Sequence, residues 1–396
     1  MPPERALEVI SVSAEELSGL WGCSVDRVAA WSCDRRCVLI LSQVDERDRM
    51  GRWALDFGTD DSEEEQRGSL DQTDWVLAQV TDLGQPAPVP PSEAAYAVRV
   101  SDPSATFVRW LYLGCRSGAP IAGAQRDPRV SVEPQLDLVR MRRISVGFSG
   151  AFPDRLLLNG EQNLLDRLKL RAEARFLFGL LGVRRDESHL QGRVLGWRIG
   201  PLRAIRAQEQ WVYLGWGIRT PVFRSYAMFY PDYLDIPVSL RLRFPATHFF
   251  SAIRIQGYVD FRDLRGWSLL LPDDPVAYFI DGRTTPQEKA LAVRNPQWFA
   301  LRGPDLTFVQ YFGLSPSLHS VTRRFLYRDD IRAAFPPEAV PGEVPGVGYE
   351  LTHWQGVGSG VHSLHATSFV VPSTLPPEQL IAAQRQPLTI QVQPLQ

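Results

Sequence analysis

Alternation of apolar and polar residues with a period of two is the feature that most constrains this chain. Val238, Leu240, Leu242 and Phe244 alternate with Ser239, Arg241 and Arg243. Ile253, Ile255, Val259 and Phe261 alternate with Arg254, Gln256, Tyr258 and Asp260, and Leu388, Ile390 and Val392 with Thr389, Gln391 and Gln393. Successive side chains of a strand point to opposite faces. Each segment therefore presents one apolar and one polar face, as a half-buried antiparallel strand requires. Residues 161–182 admit two readings. Leu164, Leu165, Leu168 and Leu180 could line a helix. Yet Leu168, Leu170, Ala172, Ala174, Phe176 and Phe178 alternate with Lys169, Arg171, Glu173, Arg175 and Leu177, and this longer run of matches favours a strand.

Phe107 to Leu113 is apolar on both faces apart from Arg109, which suits a strand buried between layers. The acidic tract Asp60 to Glu65 reads as a solvated loop, and Gln85 to Ser92, with four prolines, as a rigid connector. Helix-start chemistry is sparse: proline near the first turn marks Pro286 to Arg294 and Pro376 to Arg385. No self-similar period of 20–50 residues appears, which argues against a propeller or solenoid. The expected fold is mainly β, a large antiparallel β-sandwich of two broad stacked sheets (supersandwich-like), with few helices. The expected organisation is a short helical N-terminal segment, 1–36, and a β domain, 37–396, with a division into two packed sub-domains placed near 150–165. The architecture is analogous to that of sugar mutarotases, polysaccharide lyases and bacterial envelope β domains, an analogy that does not fix function.

The N-terminal expectation rests on capping. Ser13 and Glu16 have capping-box spacing, Leu17, Leu20 and Trp21 share a helical face, Gly22 ends the run, and Ser24 can cap a turn carrying Val25, Val28 and Trp31. This hairpin resembles the helix-turn-helix of DNA-binding regulators over some twenty residues. It departs from that pattern at Ser18, and Asp26 beside Arg27 would repel phosphates.

With 396 residues, folding removes roughly three quarters of the surface the unfolded chain exposes, so a core needs neither metal nor disulfide. A formal net charge of −2 gives no global field toward nucleic acid or an anionic membrane. No nucleic-acid partner and no membrane span are expected. Cys23, Cys33, Cys37 and Cys115 lack the spacing of a zinc site and read as free, partly buried thiols, with a Cys33–Cys37 disulfide reserved for an exported protein. Met1 to Ile10 lacks the apolar run of a secretory signal. The default expectation is cytoplasmic, and periplasmic or exported if the start is misassigned.

Three groups of residues could carry chemistry. His353, His362 and His365 could move protons, although on one strand His362 and His365 would point to opposite faces. Carboxylates such as Asp260 could supply the acid or base of glycoside chemistry, whereas Asp273 and Asp274 before Pro275 read as a turn. Trp211, Tyr213, Trp216 and Tyr230 belong to an aromatic-rich stretch that could form a platform for sugar rings or simply fill a wide core. No phosphate loop, HExxH, GxSxG or EF-hand motif occurs, and no cofactor or metal is expected.

The leading expectation is a non-catalytic binding or structural protein of bacterial type, engaging a glycan or envelope component through aromatic and arginine side chains on a sheet face. The first alternative is a carbohydrate-active enzyme, mutarotase- or lyase-like, using a C-terminal histidine (His353 or His362) and Asp260. The second is a DNA-binding regulator built on the N-terminal hairpin.

Overall fold

The alternating segments form the strands. Tyr233–Leu242, Phe250–Phe261 and Thr389–Pro394 are strands in the computed structural model, which describes all residues except 60, 61, 65, 105, 106, 119–126, 151, 177–180, 216, 217, 221, 246–249, 333–342 and 396. Leu165–Phe176 is one long strand, so alternation prevailed over leucine spacing; Phe178 and Leu180 lie outside the described residues, as do Asp60, Asp61 and Glu65 of the acidic tract. Val108–Cys115 is a strand whose Leu111, Tyr112 and Leu113 are buried. Among the described residues only Pro286–Ala290 and Pro377–Arg385 are α-helical. The first opens on a capping box: Thr285 Oγ1 accepts from the Glu288 amide at 3.2 Å, and Glu288 Oε2 accepts from the Thr285 amide at 2.6 Å.

The described strands build one long sheet of eleven strands. Its middle runs, each strand antiparallel to the next, through Trp298–Arg302, Leu306–Leu314, Gly360–Pro372, Tyr233–Leu242, Phe223–Phe229, Ala204–Gly215 and Leu190–Ile199. Two five-stranded sheets pack on its inner face. One is a meander between Ser131 and Asn163, and the other contains Leu165–Phe176, Phe250–Phe261, Gly346–Thr352 and Thr322–Arg328. The largest core joins all three sheets, with Phe229 and Trp197 from the long sheet meeting Val146 and Phe148 of the meander and Phe261, Phe325 and Val347 of the second sheet. Burial of such apolar side chains, about 1.5–3 kcal/mol each, drives the stacking.

The N-terminal segment differs from the helical expectation. Its helical turns are the 3-10 turns Arg5–Leu7, Ala14–Glu16 and Ser18–Leu20, interleaved with the strands Val9–Ser13 and Val28–Cys33. Ser13 caps the second of these turns through the Glu15 amide rather than through a full capping box. Residues 28–31, read as the second helix of the hairpin, are buried strand paired with Val108–Cys115. A strand buried on both faces shows no period of two, so nothing local distinguished it from a helix. The helix-turn-helix expectation falls with it.

The cysteines also differ from expectation. Cys23 bonds to Cys115 and Cys33 to Cys37. Cys33 and Cys37 stand opposite each other across a strand pair, and Val28 pairs with Cys115, which brings the Cys23 turn to the same edge. The Cys23–Cys115 closure joins residues 92 apart in sequence, and only the fold makes them neighbours.

Candidate functional site

The outer face of the long sheet is covered at one side and open at the other. Trp53 and Leu55 pack on Ile205 and Ala207, with Trp75, Tyr226 and Met228 alongside. Helix Pro377–Arg385 sets Leu380 and Ile381 against Trp298, Val309 and Phe369. Beyond these covers the register assembles one polar row: Arg193 stands opposite Glu209, Glu209 opposite Arg224, Arg224 opposite Ser239, and Ser239 opposite Ser363. Five strands spanning residues 190 to 372 contribute one side chain each.

Glu209 organises this row. Arg193 donates Nε and Nη2 to Glu209 Oε2 at 3.0 and 2.7 Å, and Arg224 donates Nη2 to Oε1 at 3.0 Å. Burial opposes ionisation of Glu209, but hydrogen bonds from Arg224 and Arg193 outweigh it and hold its pKa below the ordinary value. Trp211, two residues on and so on the same face, pairs with Gln191, whose side-chain oxygen accepts the indole N–H at 3.2 Å. Arg219 lies over the indole, its guanidinium carbon 5.2 Å from the ring centroid. Arg193, Glu209, Trp211, Arg219 and Val222 together line a cleft of about 170 Å³. Among the anticipated aromatics, Tyr213 is exposed on the same strand as Trp211, and Trp216 lies outside the described residues.

Tyr230 is elsewhere. It is buried, stacks on Tyr233 at 4.3 Å and accepts a hydrogen bond from Arg203 Nη1 at 2.9 Å. Its neighbour Phe229 pairs with Ala204, seven residues from Trp211, which puts the two aromatics roughly 20 Å apart at strand rise. The structure therefore divides the aromatic group into a cleft wall and a piece of core.

The histidines and Asp260 do not converge. His353 is exposed, has φ 59°, and holds Nδ1 3.0 Å from Thr352 Oγ1 at the end of the second five-stranded sheet. His362 is buried on the inner side of the long sheet, with Nδ1 3.1 Å from Ser317 Oγ and Nε2 2.9 Å from the Gly358 carbonyl oxygen. Asp260 sits on the second sheet with no exposure, 2.9 Å from Lys169 Nζ and 2.7 Å from Arg328 Nη2. His362 and Asp260 are buried and bonded within the fold, and His353 stands at the surface. His365, by contrast, is on the outer face of the long sheet, folded over Gly313 and 5.3 Å from the Tyr311 ring. Asp235 shares that face one row away; burial raises its pKa, against a 2.8 Å hydrogen bond from Thr367 and the nearby His365. No set of three or more His, Cys, Asp or Glu side chains among the described residues is grouped to hold a metal ion. No described helix is long and apolar enough to cross a membrane.

The sequence reading missed Glu209, Arg193, Arg224 and Arg219. Glu209 lies on the Trp211 strand at an interval of two, which was a readable signal; the arginines reach it from strands whose pairing no local pattern announces.

No family model matches the chain, and no curated protein matches it. Among solved structures, an alpha-mannosidase from Enterococcus faecalis V583 is similar over 98% of the chain with a TM-score of 0.52 at 9% identity. The chain spans 44% of the length of that mannosidase. An aldose 1-epimerase-like protein from Escherichia coli K12 is similar over 60% of this chain and 97% of its own, with a TM-score of 0.31 at 10% identity, too partial a likeness to carry an argument. The mannosidase likeness shows a common β-rich fold and nothing more specific.

Proposed function

We propose that the chain is a carbohydrate-binding protein whose ligand sits on the open half of the long sheet's outer face. The observation that carries the reading is the Trp211 cleft, where a fixed indole and Val222 offer apolar surface beside polar and charged groups held in place by Glu209. Small-ligand sites combine apolar walls with a few placed polar groups in this way. The fold shared with an alpha-mannosidase supports a carbohydrate-related role. The two disulfides suit an oxidising compartment, which fits an exported or envelope-associated binding protein.

A glycan array probed with wild type and Trp211→Ala tests this. The expected result is binding to a defined glycan set, weakened about 30-fold by the substitution as for an aromatic anchor, with an unchanged melting temperature. Absence of binding to every glycan would overturn it.

A second reading, a carbohydrate-active enzyme, has one observation in its favour: His365 and Asp235 share the outer face in adjacent rows. Chromatography of bound oligosaccharides after incubation separates the two readings. Sugars recovered unchanged support binding alone.

A further inference from the structure

Resting on that reading, we infer that the ligand of the Trp211 cleft is an acidic saccharide, a sugar bearing a carboxylate, sulfate or phosphate. The cleft is lined by Arg193, Arg219 and Glu209, and Arg224 reaches the same carboxylate from its other side. Arg193 and Arg224 share Glu209, and Arg219 brings a further guanidinium to this end of the sheet. Both Glu209 oxygens are already engaged by arginines, so it is a brace for Arg193 and Arg224 rather than a free acceptor.

Arg219 has no carboxylate within ion-pair distance among the described residues, and its group is exposed. Its guanidinium carbon lies over the Trp211 ring at 5.2 Å, and no described acceptor takes its N–H groups. A planar fork with its N–H groups open matches the paired oxygens of a carboxylate, sulfate or phosphate. Arg241 adds a further exposed cation. It follows Ser239 by two residues on the same face, pairs with Val361, and likewise has no carboxylate partner among the described residues. A chain of formal charge −2 thus sets the guanidinium groups of Arg219 and Arg241 near the half-buried Trp211 indole. A neutral sugar would leave that charge unanswered, whereas an acidic sugar places its anion at Arg219 and its C–H surface against Trp211 and Val222.

The test is titration of the full chain with an oligogalacturonate, a sulfated oligosaccharide, a phosphorylated oligosaccharide and their neutral counterparts, for wild type, Arg219→Gln, Arg219→Lys and Trp211→Ala. The expected result is preference for at least one acidic series over its neutral counterpart. It should be lost about tenfold in Arg219→Gln and only partly restored by Arg219→Lys, because a point charge replaces the fork. The three acidic arms identify which anion is read. Equal affinity for acidic and neutral sugars, still dependent on Trp211, overturns the inference and keeps the binding proposal. No binding in any arm overturns both. Equal binding of single-stranded oligothymidylate in parallel also overturns the inference, because the face would then be a general polyanion surface.

Discussion

Asp260 illustrates how one residue can carry the chemistry of a catalytic acid and the setting of a brace. With Lys169 it is removed from solvent entirely, between Lys169 Nζ and Arg328 Nη2, while the Tyr258 ring lies 5.6 Å from the lysine nitrogen. Charges this deep are held by their partners, and breaking a buried ion pair from one side is strongly destabilising. Asp260→Asn is therefore expected to cost about 3–5 kcal/mol in denaturant unfolding. An Asp260→Asn protein of wild-type stability would show that the aspartate serves something other than the fold. Lys169 and Asp260 were legible as polar members of alternating strands. That their polar face is sealed was not, because alternation names a face without saying what covers it.

At the scale of elements, close strand approach sets what the second five-stranded sheet tolerates. Gly348 stands opposite Tyr258, and a Cβ there would fall 2.3 Å from both the Gly257 carbonyl oxygen and Tyr258 Cβ. Backbone and Cβ atoms cannot swing aside as a flexible side chain would, so added bulk must spread the strands. Gly348→Ala is expected to cost about 1–3 kcal/mol, the range of overpacked cores, read as a lower denaturation midpoint at an unchanged slope. A neutral substitution would mean the strands are not this close. Element boundaries show where local signals compete. Ser13 and Glu16 have the spacing of a helix start, yet they open only a 3-10 turn, because strand pairing on either side takes up the chain. Thr285, before Pro286, opens a helix where nothing competes, and its capping box is complete.

For the whole molecule, buried carboxyl groups set the response to pH. Burial pushes Glu8 and Asp74 up to about 7 and Asp329 up to about 6. Burial and the neighbouring Asp166 push Glu343 up to about 7. In the unfolded chain such groups lose their protons near pH 4, so between about pH 4 and 7 the folded state holds more protons. Stability from these groups is therefore complete below about pH 4 and is lost as pH rises through 6 to 7. Glu209 and Asp48, held low by hydrogen bonds that outweigh burial, act oppositely and withdraw stability only as pH falls below about 4. The melting temperature is expected to peak near pH 4 and to decline up to about pH 7, with a shallower decline in Glu8→Gln. Parallel curves for wild type and Glu8→Gln would remove Glu8 from the account.

The sequence by itself determined the β class, the two faces of its alternating strands and the scarcity of helices, because the pleat is a local property and apolar–polar order records it directly. Tertiary structure alone decided which face was covered, which cysteines met, and that Arg193, Glu209, Arg224 and Trp211 would share one open surface while Tyr230 went to the core. The physical reason is that pairing between strands far apart in the chain is set by the packing of all of them at once, and no segment carries that information alone.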